Sequence, residues 1–460
     1  MLDGTVVNIA LPQIGESLDA DVAGLQWTLS GYTLTLASFI LLGGALGDRL
    51  GRRKVFVWGT IGFAVASVLC GLAVNIEMLV GARLLQGVAG AMLTPGSLAL
   101  ISASIAPEDR GAAIGVWSGL GGVAGAIGPL LGGWLVDVAG WRSVFLINVP
   151  LTAAVVWVSM RHVPESKDSH TPGRLDLVGA LVVALALGAL TYGLIGSMAV
   201  LAVAGVVLLG VFVAIELRSD HPLVPPSLFS SRLFTAANLV TFAVYAALGG
   251  VFFLLVLQLQ LVAGYSPLAA GSATIPITVS MLLLSSRAGR WAQRSGPRIP
   301  MTVGPVLSAI GLVSMLRIGA DSSYLLDVLP GVVVFGLGLS SLVAPLTGAV
   351  LGSVSTDEAG IASGVNNAVA RTSQLLAVAA LPGLAGISGS AFDDPARFSD
   401  GFHTAMLICI GLLLAGAALS AVLIVKSGAR TPDVESVECK PHCGISGPAG
   451  APHAEVSARG

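Results

Sequence analysis

The feature that most constrains this chain is a succession of long apolar runs. A helix crossing lipid needs about 20 mostly apolar residues. About fourteen runs approach or reach that length: 1–14, 25–46, 55–74, 78–103, 112–136, 142–160, 177–195, 198–217, 234–262, 267–286, 299–319, 327–353, 362–386 and 402–426. In lipid every backbone group must pair internally, so only helices or closed barrels span it. The runs lack the alternation of barrel strands, and 59 glycines suit close helix packing. Only 10% of residues are charged, against roughly 25% in a soluble domain. A net charge of −2 leaves no basic field for nucleic acid. The glycines follow no G-X-Y period, which excludes collagen. An all-α polytopic membrane protein in a lipid bilayer is expected.

The charges orient the array. One set of alternate loops carries Arg49, Arg52, Arg53 and Lys54; Arg110; Arg161, Lys167 and Arg174; Arg218 and Arg232; Arg287, Arg290, Arg294 and Arg298. The opposite loops carry Arg142 and Arg397, with Arg317 near that face. Positive residues stay inside, so the basic loops and the C-terminal tail are expected in the cytoplasm, in the plasma (inner) membrane. Residues 427–460 lack an apolar period and are expected to be a disordered tail. Cys70 and Cys409 lie in apolar runs as small hydrophobes. Cys439 and Cys443 flank His442 in the tail, without four zinc-spaced ligands, and no metal is expected. No phosphate-binding Gly-x-x-x-x-Gly-Lys-Ser/Thr loop and no His-Glu-x-x-His helix occur, so no enzyme is expected.

Two loop segments recur. Gly44-Ala-Leu-Gly47-Asp48-Arg49-Leu-Gly51-Arg52-Arg53 matches Gly289-Arg-Trp-Ala292-Gln293-Arg294-Ser-Gly296-Pro-Arg298, and Gly44 and Gly289 lie 245 residues apart. Pro107-Glu108-Asp109-Arg110-Gly111 matches Thr356-Asp357-Glu358-Ala359-Gly360, where Gly111 and Gly360 lie 249 apart. Chance similarity between Gly- and Arg-rich loops is the alternative to duplication. Two parallel halves of six helices describe one transporter architecture. The expected division is residues 1–162 and 234–426 as six-helix bundles, with residues 163–233 as a linker and two inserted helices.

With these residues in place, the chain resembles the major facilitator superfamily, and within it the fourteen-helix drug:proton antiporters of the EmrB/QacA type. Gly44 to Lys54 is similar to the family's loop between helices two and three. Arg83-Leu-Leu-Gln86-Gly87-Val-Ala-Gly90 resembles its fourth-helix motif. Gly121-Gly122-Val-Ala-Gly125-Ala-Ile-Gly128-Pro129-Leu-Leu-Gly132-Gly133 resembles the fifth-helix motif of exporters, and Leu2-Asp3-Gly-Thr5-Val-Val-Asn8-Ile-Ala10-Leu11-Pro12 the first-helix motif of the fourteen-helix branch. The resemblance implies proton-coupled export of amphipathic drugs, antibiotics or related small molecules by alternating access. Import or facilitated diffusion of a small metabolite is the alternative within the same fold. It also implies no cofactor, the proton gradient as energy source, and a monomer whose partners are protons, substrate and lipid.

Arg83 sits in an apolar run, where a charge costs about 2.5–3.5 kcal/mol on insertion scales. Asp3 is its natural counter-charge. A carboxylate's proton affinity is raised by desolvation and lowered by a nearby cation, so a balanced site can load and release a proton. A static ion pair between helices one and four is the alternative. Asn366, Asn367, Arg371 and Gln374 recur at helical spacing on one polar face, either lining a cavity or bonding neighbouring helices. Asn8, Trp27 and Tyr32 join Asn367, Arg371 and Gln374 as candidate cavity residues, and Tyr245, Phe252, Phe253, Gln258 and Gln260 either line the cavity or pack. Gly44, Asp48, Arg49, Gly51 and Arg52 form a candidate gate. In it Asp48 meets a helix N-terminus, and Arg52 pairs with Glu108 or Asp109. Gly125, Gly128, Pro129 and Gly132 suit a tightly packed, bendable helix. Glu216 is expected to snorkel at a run end. A first run of about 14 residues rises about 21 Å, short of a core of about 30 Å. The repeat places Asp3 opposite Leu248, some 14 residues into run nine. The first helix is therefore expected to be truncated, with about 14 residues and a leader missing upstream.

Overall fold

The computed structural model describes residues 2–104, 120, 124, 127–167, 176–219, 222–355, 358–387 and 394–424. Within them run fourteen helices once contiguous pieces are joined. They are α1 Leu2–Leu18, α2 Val22–Leu50, α3 Arg52–Gly71, α4 Ile76–Ser104, α5 Ile127–Ala139, α6 Ser143–His162 and α7 Leu177–Ile195. After them come α8 Ala199–Glu216, α9 Arg232–Val262, α10 Pro267–Ser295, α11 Arg298–Met315, α12 Tyr324–Leu351, α13 Ala359–Leu384 and α14 Pro395–Leu423. Among the described residues there is no strand, and eleven helices are long and apolar enough to cross a membrane. The protein is a multi-pass membrane protein.

Local chemistry sets the helix ends. Asp21 and Asp176 accept the amides of Gly24 (2.8 Å) and Gly179 (2.7 Å), N-capping α2 and α7. Asp394 accepts the amides of Ala396 and Arg397 with Pro395 in the first helical position. That cap starts α14 seven residues before the apolar run at 402. Helix α10 outlasts its apolar run, because Arg287, Arg290 and Arg294 continue the helix to Gly296, whose φ of +79° ends it. Helix α1 reaches Leu18 rather than residue 14. Helix α13 is 26 residues long but is not among the eleven, since Asn366, Asn367, Arg371 and Gln374 make one of its faces polar. Glu216 does not snorkel: it is buried, and its Oε2 accepts the Val224 amide at 2.8 Å, pinning the segment after α8.

Glycines reveal the duplication in the packing. A Cβ on Gly87 of α4 would strike Thr35 and the Tyr32 carbonyl of α2; one on Gly336 of α12 would strike Ile277 and Ser280 of α10. Tyr32 to Ile277 and Thr35 to Ser280 are shifts of 245, while Gly87 to Gly336 is a shift of 249. Gly59 closes on Ala89 as Gly304 closes on Gly338, and Gly44 on Pro95 as Gly289 on Ala344. Each pair obeys the same two shifts, 245 for the first member and 249 for the second. Helices α2–α4 and α10–α12 are therefore two copies of one packing unit.

The helices of the two halves meet at three seams. Gly271 of α10 lies against the Pro129 carbonyl of α5, and Gly133 of α5 against Pro267 and Leu268. Gln260 of α9 donates to the Ile9 carbonyl of α1 at 3.0 Å. Gln26 of α2 donates to the Val378 and Ala379 carbonyls of α13 at 2.7 and 3.1 Å. The α7–α8 hairpin closes through Gly193 and Gly205, and Trp27 of α2 meets Tyr192 of α7 at 5.9 Å. The far side of α8 exposes Val200, Val203, Val206 and Val207, a face suited to lipid.

Candidate functional site

Groups from five helices meet in one network around a buried carboxylate. Asp3, in the first turn of α1, is 6% exposed, and Arg83 of α4 is 1% exposed. Arg83 Nη1 lies 2.7 Å from Asp3 Oδ2. The other carboxylate oxygen accepts from Gln86 Nε2 at 3.1 Å and Asn148 Nδ2 at 3.0 Å. Both amides also donate to Ser67 Oγ, at 2.9 and 3.3 Å. Arg83 donates from Nε to the Thr28 carbonyl at 3.0 Å and from Nη1 to Gln86 Oε1. Its guanidinium also stacks 4.5 Å over Tyr32 and 5.8 Å from Phe145.

This network joins α1, α2, α3, α4 and α6. With Asp3 ionised the pair is neutral. A proton on Asp3 leaves Arg83 as a bare charge and removes one acceptor from three competing donors. Protonation therefore changes the bonding among five helices at once.

The second half has no copy of it. The repeat maps Asp3, Tyr32, Ser67, Arg83 and Gln86 onto Leu248, Ile277, Leu312, Val332 and Phe335, all buried apolar residues. Apolar packing alone therefore suffices to hold that position of the scaffold.

Charge inside apolar runs singled out Asp3 and Arg83 in the sequence, but three members of the network were missed. Gln86 was within reach, since it follows Arg83 by three residues and shares its helix face. Ser67 and Asn148 are uncharged polar residues in apolar runs, and nothing in their spacing ties them to a residue 64 or 145 positions away.

A second polar array lies on α13. Asn366 donates to Asn238 Oδ1 at 3.1 Å and Thr241 Oγ1 at 2.8 Å on α9. Arg371 reaches Gln374 Oε1 at 3.5 Å. Asn367 is part-accessible on the same face. Asn8 is part-accessible on α1, and its Oδ1 has no partner among the described residues. Trp27 packs against the cluster of Leu34, Ala37, Leu187 and Leu375, and its ring meets Tyr192. Phe253 is buried, and Phe252 meets Phe335 edge-on at 6.5 Å. Gln258 ties α9 to the Ile318 carbonyl and Ser399.

At the basic loop Asp48 takes Arg52 Nε at 2.7 Å, so Arg52 has a partner on its own turn. Glu108 and Asp109 lie outside the described residues. The helix-capping acid here is Glu165, which Asp48 was expected to be. Glu165 accepts the Arg53 amide at 3.1 Å at the start of α3, with Arg53 Nε 3.8 Å away. Gly51 has φ +116°, and a Cβ there would meet Glu165 Oε1 at 2.7 Å. Arg49 is exposed. Gly44 lies against Pro95. In α5, Gly132 lets Val6 of α1 approach to 3.0 Å from a Cβ position. Gly128 and Pro129 lie in its first turn, and Gly125 falls outside the described residues.

Known proteins share both sequence and fold with this chain. It is 36% identical over 400 residues to the probable actinorhodin transporter of Streptomyces coelicolor, covering 83% of this chain and 69% of that one. It is 33% identical to the puromycin resistance protein pur8 of Streptomyces alboniger, covering 92% and 88%. The crystal structure of the POT family transporter PepTSo superposes with a TM-score of 0.69 at 13% identity, covering 92% of this chain and 95% of that one. The Major Facilitator Superfamily model matches residues 1–378. With that match over most of its length, the chain belongs to the Major Facilitator Superfamily.

Proposed function

We propose that the chain is a proton-coupled exporter of amphipathic drug-like molecules, working by alternating access. The observation that carries this is the buried Asp3 network, present in one half and replaced by Leu248, Val332 and Phe335 in the other. A clasp needed only for folding has an apolar solution at the equivalent place. A buried ion pair is weak as a stabiliser, and intramembrane ionisable residues mark proton and substrate paths. Relatives named as an antibiotic transporter and a resistance protein support export as the direction.

In this reading Asp3 carries the proton and Arg83 sets its release. Gln86, Ser67 and Asn148 transmit the change to α3, α4 and α6. Tyr32, Asn8, Asn367, Arg371 and Gln374 line the substrate path. The Asp48–Arg52 and Glu165–Arg53 contacts hold the α2–α3 corner as a gate. Gly128, Pro129 and Gly132 let α5 bend against α1. The halves are residues 1–162 and 234–426, with α7 and α8 as an insertion, which suits the fourteen-helix drug:proton branch. The excess of Lys and Arg in one set of loops supports a cytoplasmic C-terminus and an inner-membrane location. It acts as a monomer on the proton gradient without a cofactor.

The test is transport in proteoliposomes under an imposed pH gradient, with a panel of acidic, neutral and cationic fluorescent aromatics. Gradient-driven movement of at least one panel member, lost on collapsing the gradient and lost in Asp3→Asn, is expected. Movement down the substrate's own gradient, indifferent to pH, overturns export in favour of a uniporter.

A further inference from the structure

We infer that the mid-span array around Arg371 binds an amphipathic monoanion, an aromatic carboxylate or phenolate, and that Arg371 selects it by charge. This rests on the reading of the chain as an exporter and names its substrate class.

Register fixes where Arg371 sits. It is central in α13. A Cβ on Gly249 of α9 would meet Gln374 at 2.9 Å, which puts Tyr245, one turn earlier on α9, level with residues 370–371. Helix α2 runs the other way. Gly364 faces Leu41, and Val378 takes the Gln26 bond, so Tyr32 falls level with residues 372–373. Arg371 thus lies level with a tyrosine from each half, and the Tyr32 ring already carries Arg83.

The charge balance at this level is positive. Among the described residues the buried acids are Asp3 and Glu216, and Glu216 lies at the far end of α8. Asp3 is bonded to Arg83. Among the described residues Arg371 has no ion pair, and its side chain bonds only Gln374 of its own helix, at 3.5 Å. One carboxylate against two guanidiniums leaves a single positive charge, unneutralised, at mid-span. A bare cation at that depth is unfavourable, and an anionic guest relieves it. The guanidinium fork takes a carboxylate through two parallel bonds. The tyrosine faces accept an aromatic body. A quaternary ammonium would meet like charge.

The experiment measures binding to the full chain in nanodiscs of zwitterionic lipid. The probes are 9-anthracenecarboxylate, its carboxamide and 9-anthracenylmethylammonium, read by fluorescence. The carboxylate is expected to bind at least about tenfold tighter than the amide, and the ammonium more weakly still. Arg371→Gln should erase the preference for acid over amide while keeping amide binding, and Arg371→Glu should favour the ammonium. Should Arg371→Gln fail to fold, Arg371→Lys decides: it should keep the acid preference with weakened affinity. No carboxylate binding, ammonium binding as tight as the acid, a preference that survives Arg371→Gln, or an unchanged affinity in Arg371→Lys overturns the inference. Binding here needs no gradient. Intact acid binding without gradient-driven transport would sink the export reading alone and leave the anion site in place.

Discussion

Arg83 shows how one residue concentrates several interactions. It bonds Asp3, Gln86 and the Thr28 carbonyl and stacks on Tyr32. Removing one member of a buried pair leaves an uncompensated charge, at about 3–5 kcal/mol. Arg83→Ala should therefore lower the thermal unfolding temperature in detergent sharply. Asn148→Ala should act less, near the 1–3 kcal/mol of an unsatisfied buried polar group. Equal unfolding temperatures for the wild type and Arg83→Ala would mean that the pair contributes no cohesion. At this scale the sequence was informative where charge is scarce. Asp3 and Arg83 stand out because lipid tolerates few charges. Asn148 and Ser67 do not, because a single amide or hydroxyl in an apolar run is also an ordinary way to bond neighbouring helices.

Elements are placed by small residues and caps. Gly81 and Gly87 both lie in α4, but a Cβ on Gly81 meets nothing within 4 Å, while one on Gly87 strikes Thr35 and the Tyr32 backbone. Gly81→Ala should be neutral or stabilising by up to about 1 kcal/mol. Gly87→Ala should destabilise by about 1–3 kcal/mol, and by pushing Tyr32 it should depress transport as well. Thermal unfolding and efflux of the two variants check this; matching behaviour would contradict the packing. Gly51→Ala should strain the α2–α3 corner, both by its φ of +116° and by the Glu165 contact. The apolar runs marked the cores of the helices well and their ends poorly. The Asp394 cap, the basic extension of α10 and the burial of Glu216 depend on single hydrogen bonds and charges, which hydropathy does not register.

On the scale of the whole molecule, the repeat seen in two loops extends into the helix contacts at shifts of 245 and 249 residues. What the loops could not reveal is the asymmetry: one copy keeps a polar site, the other fills it with hydrocarbon. The seams between copies were also hidden, since Gln260 and Gln26 reach across more than 250 and 350 residues to backbone carbonyls. If the halves rock against each other, fixing the α5–α10 seam should stop the cycle. Asp137 Oδ2 takes the Leu268 amide at 3.3 Å there. With the four native cysteines replaced, the pair Asp137→Cys and Leu268→Cys should lose efflux on oxidation and regain it on reduction. Full efflux by the cross-linked protein would exclude movement at this seam. The most direct measurement of the central claim compares wild type with Asp3→Asn in proteoliposomes, following substrate and internal pH together. The wild type should move protons against substrate in a fixed ratio. Asp3→Asn, folded and binding the same probe, should move neither under the pH gradient alone. Proton-coupled transport at wild-type rate in Asp3→Asn would contradict the account.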